Sequence, residues 1–556
     1  MNNAYKVVFN KARGALMVAN EVTSSVQKKG TKTVLAAALV MLGTGVASAA
    51  NTYGTVTIDG GQVGNVTSTI GSETAGNVVF KNTGATPYVK TLIANDEDIT
   101  IRGKNITITG NTTQNEDVRA GNSKKITIGG AETERIEIKT SGDALVGIKG
   151  SFELTAKTID IDANNALWMQ NNTEKATAPA DAVSLKLSAD KISIKANEIA
   201  LAGFSNSQNE IKGDLLLSGA NAIDVRGNST VNINVDGKHS TVVKGDIVFE
   251  TPNAPGDSQN SGKLINSYVN INFVGTDSSW TGRSYQEYKV NNEYQHLIGL
   301  DGDASYHGNV TGFNLTFAEG ATWNVTDDSF VNNLTLKNGG VIKVDDKVQT
   351  INVGSWEATT QTASQSESNQ NTTTTTGRVI PGFKIEGTGN QLTLGKDTKL
   401  NGKIVMANGS ELITPLSTAF TTVTDENKSV KGATARLDLA TEGSDTATLT
   451  INDKFTYTAD GITAMGSSLD GTNISLNLVN AELYQEKTDD GASNTNSTLV
   501  NNIVQEKLTV ETKVNVDEDG SATVEAKNTG GKTLVVSNSA TNDDATVAKS
   551  VTLKAP

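Results

Sequence analysis

Side chains able to do covalent chemistry are few in this sequence, and poorly placed for it. There is no Cys, and the three His are His239, His296 and His307. That removes thiolate nucleophiles and cysteine zinc sites and leaves little material for a histidine metal centre. Gly256-Asp257-Ser258 has the look of a serine-hydrolase motif, but such chemistry needs a base and an oxyanion donor held beside the serine. Gln259 stands where a glycine would shape that donor, and Pro252 and Pro255 make the segment a loop. A calcium loop nearly reads from Asn515 through Asp517, Asp519 and Gly520. Its twelfth position is Ala526, where a bidentate Glu is required. Walker and dinucleotide glycine fingerprints are missing. Asp plus Glu number 61, so a glycosidase-type carboxylate pair is an open alternative, but no single pair is marked out. The expectation is no catalytic residue, no cofactor and no metal: not an enzyme.

Recognition has better candidates. The stretch from Asp277 to His307 gathers Trp280, Tyr285, Tyr288, Tyr294 and Tyr306 in a chain with only 5% aromatics. Aromatic rings supply much of the energy of binding patches, so these five form the candidate contact loop. The competing reading is a side loop packing its own rings against the protein body. Charge narrows the partners: 47 Lys plus Arg against 61 Asp plus Glu gives −14, which repels phosphate backbones and speaks against nucleic acid.

These residues need a frame, and the frame is written in short strands. Ile99-Thr100-Ile101, Ile106-Thr107-Ile108, Ile126-Thr127-Ile128, Ile136-Glu137-Ile138 and Ile159-Asp160-Ile161 begin a series that continues through Val231-Asn232-Ile233-Asn234-Val235. Period-two alternation puts the aliphatics on one face and the polar residues on the other. Gly, Asn, Asp and Ser fill the breaks, as turns require. Neighbouring pairs recur about 7 to 10 residues apart, and three of them sum to roughly 20 to 25 residues, one coil of a solenoid. A chain of 556 residues is far too long for one compact core, whereas a solenoid core lengthens without thickening. The expected fold is all-β: a single elongated right-handed parallel β-helix (β-solenoid) after an N-terminal signal segment. At about 22 residues per coil, some 430 residues give roughly 20 coils and a rod of about 95 Å. A string of immunoglobulin-like sandwiches is the rival, but no repeat of about 90 to 100 residues is visible.

The expected organisation is a signal over 1–49, a β-helix over 50–490 and a C-terminal β segment over 491–556. Excursions are expected near 251–262, 277–307 and 359–376, the last from its Ser/Thr/Gln/Asn low complexity and without fixed structure. Val514 to Ala526 reads as a hairpin around Asp519-Gly520. The last aromatic is Tyr484 and the sequence closes Leu553-Lys554-Ala555-Pro556, so no outer-membrane barrel is expected in this chain.

The leader carries an address. Lys6, Lys11, Arg13, Lys28, Lys29 and Lys32 face one acidic residue, Glu21. An apolar run from Val34 to Leu42 precedes the small-residue site Ala47-Ser48-Ala49-Ala50, with cleavage expected after Ala49. The run is too short for a membrane span, which needs about 20 residues. Losing a leader of +5 moves the chain from −14 to about −19, a soluble, self-repelling surface.

The front of that leader is more specific. Met1, Asn2, Tyr5, Lys6, Phe9, Asn10, Gly14 and Glu21 stand in a pattern that resembles the extended signal peptide region of type V secreted proteins, with Asn3 where Lys or Arg is usual. Those are the autotransporters and two-partner exoproteins of Gram-negative bacteria. A second resemblance lies in Trp323, then Asn333-Leu334-Thr335-Leu336, then Gly339-Gly340, which is similar to a coil of autotransporter passengers. The resemblance implies Sec export, an outer-membrane transporter barrel as partner, and a surface or extracellular destination. A passenger cut from a longer gene is expected, acting as an adhesin-like scaffold for a receptor on a host or bacterial surface. The lack of Cys suits a chain that must stay unfolded in the oxidising periplasm. Two alternatives stand: a β-helix enzyme on polysaccharide, and a self-associating surface-layer or aggregation protein.

Overall fold

The computed structural model describes, with side chains, residues 70–72, 76–82, 90–110, 116–171, 183–250, 267–287, 312–355, 380–415, 418, 437–450 and 473–474, together with the backbone of further strands. Among the described residues its elements are strands, apart from a single helical position at Thr418. Most of the strands stack in parallel, pairing with a counterpart one coil away, and form three faces of a parallel β-helix.

On the first face Ile108, Ile138, Ile161, Ile194 and Leu217 lie in register over one another. The second face stacks Leu92, Val118, Leu145, Leu167, Leu201 and Ile223. The third aligns Ile101, Ile128, Leu154, Leu187, Ile211, Ile233, Ile271 and Leu315. These residues are at most 2% exposed, and together they make one continuous column of core. The reason is the alternation: with every second side chain inward, β-branched and γ-branched aliphatics of adjacent coils meet face to face.

Coil length matches the spacing read from the sequence. Leu187 pairs with Ile211, 24 residues on, and Ile211 with Ile233, 22 residues on. The coil carrying Trp323, the Asn333–Lys337 strand and the Gly339-Gly340 turn is shorter: Leu315 pairs with Leu334, 19 residues on. On the first face the pairings run through fifteen strands, from Thr55–Asp59 to Ile474–Gln485. At about 4.8 Å per layer that is about 65–70 Å. The stack is shorter than the roughly 20 coils expected because the excursions consume chain without adding layers.

Those excursions have a common address. Long connections lie between Asn165–Gln170 and Val183–Ala196, between Thr241–Glu250 and Tyr268–Val274, between Ser284–Val290 and Gly312–Ala318, and between Thr350–Val353 and Phe383–Glu386. Each leaves the second face and returns on the third, so they share one corner of the rod. Two carry antiparallel hairpins: Ser284–Val290 with Glu293–Leu297, and Ser355–Ala363 with Thr372–Ile380. The second corrects the expectation of an excursion without fixed structure at 359–376. Its strands are built of Thr, a good strand former whatever its low complexity.

The corner between the first and second faces is tight. Gly245 sits there at φ +120°, and a Cβ on it would lie 1.9 Å from the Gly219 carbonyl oxygen. Only glycine lets successive coils close this way. Beyond Ile474–Gln485 the pairing changes sense: that strand takes Leu508–Val516 antiparallel, which in turn pairs with Ala522–Asn528.

Candidate functional site

The residues of the expected contact loop part company in the structure. Trp280 is 0% exposed and stacks on Trp323 of the next coil, ring centroids 4.7 Å apart and planes 7° from parallel. Its indole N–H donates to the Gly245 carbonyl at 3.0 Å, as Trp323 donates to Gly282 at 3.3 Å. Buried indoles need such a partner, and the glycine corners supply it. Trp280 is therefore core, which corrects its reading as a contact residue: strand alternation turned it inward, and composition does not say which face a ring takes. Tyr285 is also buried, beneath the Arg283 guanidinium at 4.5 Å from its ring. Burial, followed by the Asp246 carboxylate, pushes its hydroxyl up to about 12. Tyr288 and Tyr294 lie on the paired strands of the first hairpin; their side chains, and Tyr306 altogether, lie outside the described residues.

The chemical candidates are scattered. His239 faces Asp214 at 3.7 Å on the outside of the rod. His296 pairs through its backbone with Glu287, while Gly256-Asp257-Ser258 and His307 lie outside the described residues. Among the described residues no group of three or more His, Asp or Glu is placed to hold a metal ion, and no helix is long and apolar enough to cross a membrane. Of the leader residues, Tyr5, Lys6, Phe9 and Asn10 fall on a strand, Tyr5–Asn10, paired antiparallel with Ala15–Asn20. Met1, Asn2, Gly14, Glu21 and the cleavage residues Ala47, Ala49 and Ala50 lie outside the described residues.

One buried acid stands out on the second face. Asp224 is 2% exposed, and its Oδ1 has no partner among the described residues; Asn221 donates to Oδ2 at 3.5 Å. Burial, and then the charge of Glu250, holds its carboxyl well above the usual carboxylate range. Glu250 itself pairs with Arg226 at 2.9 Å. Sealed from solvent, Asp224 bears on stability and is not placed to meet a ligand.

The outside of the third face is different in kind. Four asparagines one coil apart lie in register, Asn232 over Asn270, Asn314 and Asn333. Their amides form a ladder: Asn270 donates to Asn232 at 2.7 Å, Asn314 to Asn270 at 2.7 Å, and Asn333 to Asn314 at 2.6 Å. Beside it runs a parallel row, Asn272, Thr316 and Thr335, with Asn272 donating to the Val235 carbonyl at 2.7 Å. Together they line an open-sided groove of about 450 Å³ with no charged residue in it. Two positions before Asn270 on the same strand face, Tyr268 is 37% exposed and lies across Gly312 of the next coil, where a Cβ would meet its ring. The sequence signal was the recurring apolar-Asn-apolar triplet, Val231-Asn232-Ile233, Val269-Asn270-Ile271 and Phe313-Asn314-Leu315. The first of them read as strand; that the three asparagines align depends on connections of unequal length.

Residues 1–50 match the family model of the Extended Signal Peptide of Type V secretion system. Comparison with curated proteins and with solved structures gives no match. The leader is thus that of type V secretion, which implies Sec-dependent export, an outer-membrane transporter and a surface or extracellular destination.

Proposed function

We propose that this chain is a type V passenger that works as an adhesin-like binding scaffold, held at or released from a Gram-negative cell surface. The observation that supports it is the coil register. Each layer repeats the same outward positions about 4.8 Å from the last, so weak contacts to a receptor add through effective concentration. The buried columns of aliphatic and aromatic side chains serve to keep those outward positions in line. Its partners on this reading are the Sec machinery, an outer-membrane barrel and a receptor on a host or bacterial surface, with catalysis playing no part. The test is made in the bacterium that encodes it. Intact cells are labelled with an antibody to the rod and treated with external protease, and their adherence is compared with that of a strain lacking the gene. Labelling, proteolytic release and reduced adherence are expected. A chain confined to the periplasm, or adherence unchanged by deletion, defeats the proposal.

A further inference from the structure

We infer that the uncharged groove on the third face, built on Asn232, Asn270, Asn314 and Asn333 and flanked by Tyr268, binds an electrically neutral oligosaccharide. This rests on the display of the chain outside the cell and names the class of ligand it would meet there.

The first argument is hydrogen-bonding capacity. A primary amide has two donors and an acceptor oxygen with two lone pairs. Within the ladder each contact uses one donor and one lone pair, leaving an N–H and a lone pair on each amide for a ligand. Sugar hydroxyls both donate and accept, which is what such a row and the hydroxyls of Thr316 and Thr335 can satisfy. Because the ladder ties each amide to its neighbour, these side chains lose little freedom on binding. They repeat at about 4.8 Å, a spacing comparable with the repeat of an extended sugar chain.

Charge and shape are the second argument. The window is bounded by ions, with Glu210 paired one coil before Asn232 and Lys384 one coil beyond Thr335. Between them this acidic chain places only amides, hydroxyls and aliphatics along the groove. An anionic glycan would find no cation in the lining, only Lys384 and the Glu386-paired Lys337 at its edge, and a repelling net charge around it. Self-docking of two such faces would bring together two chains of the same sign. The volume of about 450 Å³ is within the ordinary range for small-ligand sites. Tyr268, resting on Gly312 without a side chain to lift it, offers a fixed aromatic surface of the kind on which the C–H face of a pyranose settles.

The experiment uses the exported chain, purified whole and titrated calorimetrically with soluble neutral oligosaccharides of glucose, galactose and N-acetylglucosamine. Sialylated and sulfated oligosaccharides run in parallel, at low and high salt. Expected is saturable binding of at least one neutral series, insensitive to salt and weakened tenfold or more in Asn314→Lys and in Tyr268→Ala. Should Asn314→Lys lower the melting temperature, Tyr268→Ala, a change at an exposed ring, decides alone. Any of three results overturns the inference: no neutral oligosaccharide bound, equal binding by Tyr268→Ala, or preference for the acidic series. A fourth is salt-dependent self-association abolished by Asn314→Lys without glycan binding, which would assign the face to a second copy. Antibody and protease access on intact cells is read separately, so a displayed chain that binds no neutral glycan refutes the ligand class and leaves the scaffold reading standing.

Discussion

The coils from Ile99 to Leu217 and those from Tyr268 to Val344 solve the same packing problem with opposite materials. In the first group the inward columns are chiefly Ile, Leu and Val, and the outside is laced with ion pairs between neighbouring coils: Arg135 with Asp160 at 2.9 Å, Lys157 with Glu134 at 2.9 Å, and Lys125 with Glu153. In the second group the interior turns aromatic. Trp280 stacks on Trp323, and Phe273 on Phe317 at 4.6 Å and 3°. The outside of the third face there keeps a single ion pair at its far edge, Lys337 with Glu386 at 3.5 Å, and gains the amide ladder. Stacked rings separated by the coil repeat fill a rung as well as aliphatics do, and they bring an N–H that must be answered by a corner carbonyl. The interior therefore tolerates a change of chemistry provided the register holds, and the register is the common element of the two regions.

Three measurements would break or sharpen that comparison. The largest effect is expected from Trp323→Ala, which removes a stacked ring and its hydrogen bond to the Gly282 carbonyl. A loss of about 3–5 kcal/mol is expected from such truncations, read as a lower urea midpoint. Ile161→Val in the aliphatic group should cost only about 0.5–1.5 kcal/mol, and equal losses would erase the distinction.

Next is Asp224→Asn, between the two groups. The folded-state pKa of Asp224 lies above the ordinary 3.8, so the folded chain keeps a proton that the unfolded chain has released. Stability therefore falls as pH rises from the ordinary carboxylate range through the raised value, and is flat above it. The variant should be more stable than the native chain at neutral pH, by about 1–3 kcal/mol, and no different below pH 3.8. Melting curves at both ends of that range check it; a gain that persists in acid would refute the assignment.

Smallest is Arg135→Gln, whose half-exposed ion pair with Asp160 should contribute less than about 1 kcal/mol. A larger fall in melting temperature would mean that the outer charges hold the aliphatic coils together.

Much of this architecture was legible from residue order. Pairs such as Ile136-Glu137-Ile138 announce a strand, its buried face and its neighbour one coil on, because period-two alternation is a local signal. Trp280 shows where that stops. An aromatic in a tyrosine-rich segment reads as a contact, yet its neighbours Ser279 and Thr281 give no aliphatic partner by which to tell the inner face. The amide ladder was hidden for another reason. Asn270 and Asn314 are 44 residues apart in sequence and adjacent in space, and only the three-dimensional closure of an intervening excursion brings them together.

The corner from the second face to the third has a practical consequence. Since additions of very different size already depart from it without breaking the pairing on the first or third face, this edge is where foreign sequence can be spliced with least harm. A reporter peptide placed there would ride on the flank of the rod, whereas one residue inserted inside a strand would turn a whole face inside out.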